Sequence, residues 1–145
     1  SRVAYQDMAN AYGNKLMSEI AANLEQFDQQ GVKRRYTLYS AHDSTLFYLL
    51  NVILTHSKQN ADGIISQYPG FVANLSFQLY QDVKKQPRVR VLYFKNYQAR
   101  LSHTSKTVLD MPLSQFYQTY FDANAFKAIR HKGGCDYQWA QPKLV

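Results

Sequence analysis

One cysteine, Cys135, stands in 145 residues, so no disulfide can close within the chain. A buried thiol and half of a disulfide whose other half lies outside these residues both suit it. Long apolar runs are missing too. The longest, "LFYLLNVIL" from Leu46 to Leu54, is about half of the roughly 20 residues that a membrane-crossing helix needs. No targeting pattern is visible, and the first residue is Ser1 rather than Met, as expected of a fragment, a processed form or a trimmed chain. The four histidines have no His-Glu-x-x-His or Cys-x-x-Cys companions, which argues against a zinc site. Ser40 and Ser44 lack the Gly-x-Ser-x-Gly elbow of a serine hydrolase. Internal repeats and low-complexity segments are absent.

Acidic residues are scarce as well. Ten Asp and Glu face seventeen Lys and Arg, a formal charge of +7 and a pI near 9.5. That balance favours anionic partners: phosphorylated small molecules, nucleic acid or anionic membranes. A non-enzymatic module binding anions or nucleic acid is therefore a rival reading, and it would account for the charge and the tyrosines. The cations are scattered, however, and no recognisable RNA- or DNA-binding motif is present, so the expectation is no nucleic-acid partner. What is present is the composition of one soluble globular domain, 46% hydrophobic and 19% charged, with twelve tyrosines. The length suffices to bury a core.

Tyr5, Met8, Tyr12, Leu16, Ile20, Leu24 and Phe27 recur at steps of three and four, one face of a long amphipathic helix that Gly31 would stop. Gly13 is a weak point within it. A basic cluster, Lys33-Arg34-Arg35, precedes a short β-type run from Tyr36 to Ser40. After His42 and Asp43, Ser44 or Thr45 can cap a helix, "TLFYLLNVILTH", apolar nearly all round and so buried. "SKQNADG" reads as a loop. Phe71 to Tyr80 and Arg88 to Phe94 alternate across the polar connection "QDVKKQP", which predicts an antiparallel hairpin. Beyond Lys95 the pattern loosens, apart from a short helix, "PLSQFYQTYF", opened by Pro112, and an irregular tail.

His42 and Asp43 thus stand between two oily runs, where unpaired charge is costly to bury. Placed as the polar turn between a strand and a helix, they would line a cleft rim, beside a helix start whose free N–H groups and dipole favour an anion. A histidine can hydrogen-bond a phosphoryl oxygen, and a neighbouring carboxylic acid can protonate a departing alkoxide. A bare His-Asp pair occurs often by chance, and a helix-capping aspartate beside a half-buried histidine is the plainer reading of the dipeptide.

The longer string "LYSAHDSTL", Leu38 to Leu46, resembles the second signature of the histidine acid phosphatases. The long helix before it, the hydrophobic helix and hairpin after it, and "MPLSQFYQTY" near the end are similar to that family in the same order. The resemblance implies an α/β fold, with residues 1–145 as the C-terminal part of a three-layer α/β/α histidine-phosphatase domain: long helix, strand, His-Asp turn, buried helix and β-hairpin. It implies phosphomonoester hydrolysis through a phosphohistidine, with His42 hydrogen-bonding the phosphoryl group and Asp43 donating the proton. No cofactor and no metal are expected. The partners implied are a small phosphorylated substrate and the missing N-terminal half of the same domain, with a homodimer as an option. A secreted or lysosomal setting follows from the same resemblance. His42-Asp43, where a phytase-related branch can carry His-Ala-Glu, favours a general acid phosphatase.

The family's nucleophile motif, Arg-His-Gly-x-Arg-x-Pro, does not occur in the chain. Arg130-His131, in "AIRHKGGCD", follows the His-Asp string and lacks the motif's continuation; it reads as a basic helix C-terminus. No nucleophile is therefore assigned within residues 1–145, and the chain alone is expected to be inactive. A full-length protein that also lacked the motif would be a pseudophosphatase. His56 reads as a helix-end surface residue and His103 as a solvated loop residue. Asn74-Leu75-Ser76 matches the N-glycosylation pattern, but its place in a strand argues that it stays unmodified.

Overall fold

A computed structural model of the chain describes residues 2–30, 36–57, 64 and 67–125. Gly31, the Lys33-Arg34-Arg35 cluster, residues 58–63 of the expected loop, Arg130, His131 and Cys135 lie outside the described residues.

The 3.6-residue periodicity becomes α1, Arg2–Gln30. Leu16, Ile20 and Leu24 of the expected stripe do reach the core, yet burial at residues 17–21 is continuous rather than one-sided. The cause is that α1 is covered twice. One cover is α2, Asp43–His56, whose Leu50, Val52 and Ile53 are almost fully buried. The other is the short helix α4, Leu113–Tyr120, with Leu113, Phe116 and Tyr120 turned inward. Pro112 precedes α4 as its N-cap residue, where a missing N–H costs nothing.

Gly13 sets how closely α1 and α2 approach. A Cβ there would meet Val52 Cγ2 at 2.6 Å and the Tyr48 carbonyl oxygen at 2.9 Å. Glycine costs helix stability, but only a bare Cα fits against that backbone. At the other end of the contact, the buried Ser18 hydroxyl accepts from the Asp122 N–H at 2.9 Å and donates to the Tyr120 carbonyl at 3.2 Å. The Tyr120 hydroxyl in turn donates to the Ile53 carbonyl of α2 at 3.0 Å. Burial pushes this phenol well above its ordinary pKa, so it stays a neutral donor.

The sheet is antiparallel, in the order β1-β2-β3: β1 Asn74–Gln81, β2 Pro87–Phe94 and β3 Lys106–Pro112. The expected hairpin is β1–β2, with Phe77 opposite Val91. Its turn closes on Asp82, whose carboxylate accepts from the Lys84 and Gln86 N–H groups at 2.8 and 2.9 Å. Val89, Val91 and Tyr93 alternate toward the helices. Phe77 meets Phe116 of α4 edge to face. Between β2 and β3 lies the helical turn α3, Tyr97–Leu101, capped by Asn96, which accepts the Ala99 N–H at 2.8 Å.

Two expectations are corrected. Residues 36–42 belong to no helix and, among the described residues, to no strand. Tyr36 and Leu38 are 77% and 74% exposed. A β-type sequence becomes a strand only when a neighbour takes its backbone hydrogen bonds, and the three described strands pair with one another. The cap of α2 is also neither Ser44 nor Thr45. The helix begins two residues before Thr45, at Asp43, with His42 as its N-cap.

The solvent face of the sheet carries a polar lattice. Asp110 of β3 accepts from the Tyr80 hydroxyl at 2.7 and 2.8 Å, from Arg88 Nε at 3.2 Å and from Arg90 Nε at 3.1 Å. The Arg90 guanidinium also lies 4.6 Å from the centre of the Tyr80 ring. Burial alone would raise the pKa of Asp110, but the donors from Tyr80, Arg90 and Arg88 outweigh it and hold the carboxyl below its usual range.

Two measurements follow. Gly13→Ala gains helix propensity but must displace a backbone carbonyl, so urea unfolding should show a net loss of about 1–2 kcal/mol; a gain would contradict the close approach. Asp110 has a lower pKa folded than unfolded, so its stabilisation is present above the unfolded value near 4 and disappears as pH falls through the folded value. The stability difference between wild type and Asp110→Asn should therefore shrink as pH drops from about 5 to below about 3. A pH-independent difference would refute this.

Candidate functional site

The segment 36–42 delivers the chain to the exposed start of α2. It is held from beneath by Tyr39, which is half-buried and receives a hydrogen bond from Asn23 of α1. Burial first, and the nearby Glu19 charge second, push the Tyr39 phenol up to about 12 despite the Asn23 hydrogen bond. At His42 the backbone is extended, φ −82° and ψ 161°, and its carbonyl accepts the Thr45 and Leu46 N–H groups at 3.0 and 3.2 Å. The first turn of α2 thus closes on the histidine's own peptide.

The structure brings His42 and Asp43 together as adjacent exposed residues, the N-cap and first helical position of a helix whose far half is buried. Asp43 Oδ1 accepts the Ser44 N–H at 2.7 Å. This bond fixes the carboxyl group against the helix end, where the dipole favours negative charge. It also changes the anion site expected at the helix start. The N–H groups of Ser44, Thr45 and Leu46 are all engaged within the turn. An incoming phosphate would meet the His42 and Asp43 side chains rather than a row of open amides.

Two aromatic residues flank this turn that sequence reasoning did not single out. Phe47 lies four residues after Asp43, hence on the same face of α2. The Tyr68 ring stacks on it with centroids 5.1 Å apart and planes 26° apart. Desolvation, and after it the negative charge of Asp43, raise the Tyr68 phenol above its ordinary pKa. At the next position of the helix, Tyr48 stacks with Tyr12 of α1 at 6.1 Å. Helical spacing alone could have pointed to Phe47. Tyr68 reaches the site from a different part of the chain, and no local pattern announces it.

The remaining histidines do not join the site. His56 sits exposed in the last turn of α2 with its ring edge-on to Tyr120, as its helix-end position predicts. His103 is exposed in a tight turn at φ 53°. Among the described residues, no group of three or more His, Cys, Asp or Glu side chains could hold a metal ion. Asn74, the glycosylation candidate, opens β1, and its amide donates to the Val72 carbonyl at 3.3 Å.

No curated protein and no solved structure matches the chain. A family model does, that of the histidine phosphatase superfamily (branch 2), across residues 3–94. The match runs from α1 through the His-Asp turn and α2 to the end of β2, more than half of the chain. By that span, which contains the whole site just described, the chain belongs to the histidine phosphatase superfamily, branch 2, a group made up generally of phosphatases.

Proposed function

We propose that this chain supplies the assisting half of an acid phosphatase active site that hydrolyses phosphomonoesters through a phosphohistidine. The observation that carries the reading is the exposed His42-Asp43 pair at the fixed start of α2, inside the stretch that matches the superfamily. His42 would donate a hydrogen bond to a phosphoryl oxygen, stabilising the charge that gathers there during transfer. Asp43 would act as general acid.

A histidine nitrogen attacks phosphorus, the bond to the ester oxygen breaks, and the Asp43 proton moves to that oxygen, releasing an alcohol. Water then attacks the phosphohistidine, Asp43 takes up a proton from it, and the P–N bond breaks to give inorganic phosphate. Two easier displacements replace one hard one. The attacking histidine is assigned to residues outside 1–145, because the Arg-His-Gly-x-Arg-x-Pro string is absent from the chain and the only Arg-His pair, Arg130-His131, lacks its continuation. Net positive charge supports the same reading, since it draws phosphorylated substrates toward the site.

The proton-donor role has a specific signature in the full-length protein. Asp43→Ala should slow phosphorylation of the enzyme by roughly 10²–10⁴-fold for alkyl phosphates, and far less for p-nitrophenyl phosphate, whose leaving group needs no proton. Stopped-flow rates across a series of leaving groups would show this as a steepened dependence on leaving-group basicity. An equal loss for every ester would remove Asp43 from the role. Residues 1–145 alone should not turn over p-nitrophenyl phosphate; turnover abolished by His131→Ala would instead make His131 the nucleophile.

A further inference from the structure

Tyr68 is half exposed although one side of its ring is covered by Phe47. Its position is fixed from behind. Pro69 is buried, the Gly70 N–H donates to the Lys95 carbonyl at the end of β2 at 2.9 Å, and the Ala73 N–H closes a turn on the Gly70 carbonyl at 3.1 Å. Gly70 packs so closely on Asn96 that a Cβ would come within 3.1 Å of its Cβ. That same turn holds Val72 at φ 62°, a conformation costly for a β-branched residue. Such strain persists where surrounding contacts over-determine the backbone, and here they aim an aromatic ring at the face of α2 that carries Asp43. We propose that the Tyr68 ring, backed by Phe47, is a platform for the leaving group, which selects phosphomonoesters whose alcohol bears a flat ring. This inference rests on the phosphatase reading above. With the ester oxygen at Asp43, the rest of the alcohol has to extend over one flank of the helix start, and the fixed Tyr68 ring stands on that flank. A planar group gains face-to-face contact there that a puckered ring of equal size does not.

The test compares benzyl phosphate with cyclohexylmethyl phosphate in the full-length protein. Both release a primary alcohol of similar basicity and size, so they separate ring shape from proton transfer. The wild type should prefer the benzyl ester in kcat/KM by roughly two- to tenfold, the range that aromatic pairing supplies. Tyr68→Leu and Tyr68→Ala should erase the preference, whereas Tyr68→Phe, which keeps the ring, should retain it. Absence of the preference in the wild type, an unchanged preference in Tyr68→Leu, or its loss in Tyr68→Phe would each overturn the platform while leaving the phosphatase reading intact. A wild-type protein that turns over neither ester would overturn both.

Discussion

The fit of α1 against α2 at Gly13 is the contact on which the rest of the structure depends. A missing side chain lets the Tyr48 carbonyl and Val52 come within contact distance of α1. Two helices this close leave room for little between them, so their relative position is set by backbone rather than by adjustable side chains. Once α1 and α2 are locked, their shared surface accepts α4, and the Ser18–Tyr120–Ile53 hydrogen bonds tie the end of α4 to both. Phe116 carries the packing onward to Phe77 and the sheet. Each layer is positioned by the one before it.

Function inherits this order. The middle of α2 is buried and immobilised, while its first turn emerges from the core carrying His42 and Asp43. A reactive pair placed on a free loop would lose orientation; placed on the first turn of an anchored helix, it keeps geometry and contact with solvent together. The polar residues that look out of place in an oily stretch are therefore where the stretch leaves the core. No burial cost arises, because neither side chain is buried.

What was legible in the sequence was local. The periodicity of Leu16, Ile20 and Leu24 gave α1, the apolar run from Leu46 to Leu54 gave α2, and the alternation of Val89, Val91 and Tyr93 gave β2 and its hairpin. The third strand was hidden by its own irregularity: Val108 and Leu109 are adjacent and both buried, and the register against β2 shifts between Val91 and Leu92. Such a bulge erases the alternation that marks a strand. The run from Tyr36 to Ser40 misled in the opposite sense, since it has β-type residues but no pairing among the described residues, and pairing is not a local property. The site divides in the same way. The His42-Asp43 string could be recognised as a motif, and Phe47 follows from helical spacing. Tyr68 lies beyond α2 in the chain, and its stacking on Phe47 is not a local property.

On the proposed reading, His42 and Asp43 are the phosphate-binding and acid side of a site whose nucleophile lies outside residues 1–145. The most direct measurement traps the covalent intermediate of the full-length protein by rapid alkaline quench, which preserves phosphohistidine, and locates the phosphate by mass spectrometry. The account predicts a phosphohistidine outside residues 1–145. Phosphate on His42, His56, His103 or His131 would contradict it.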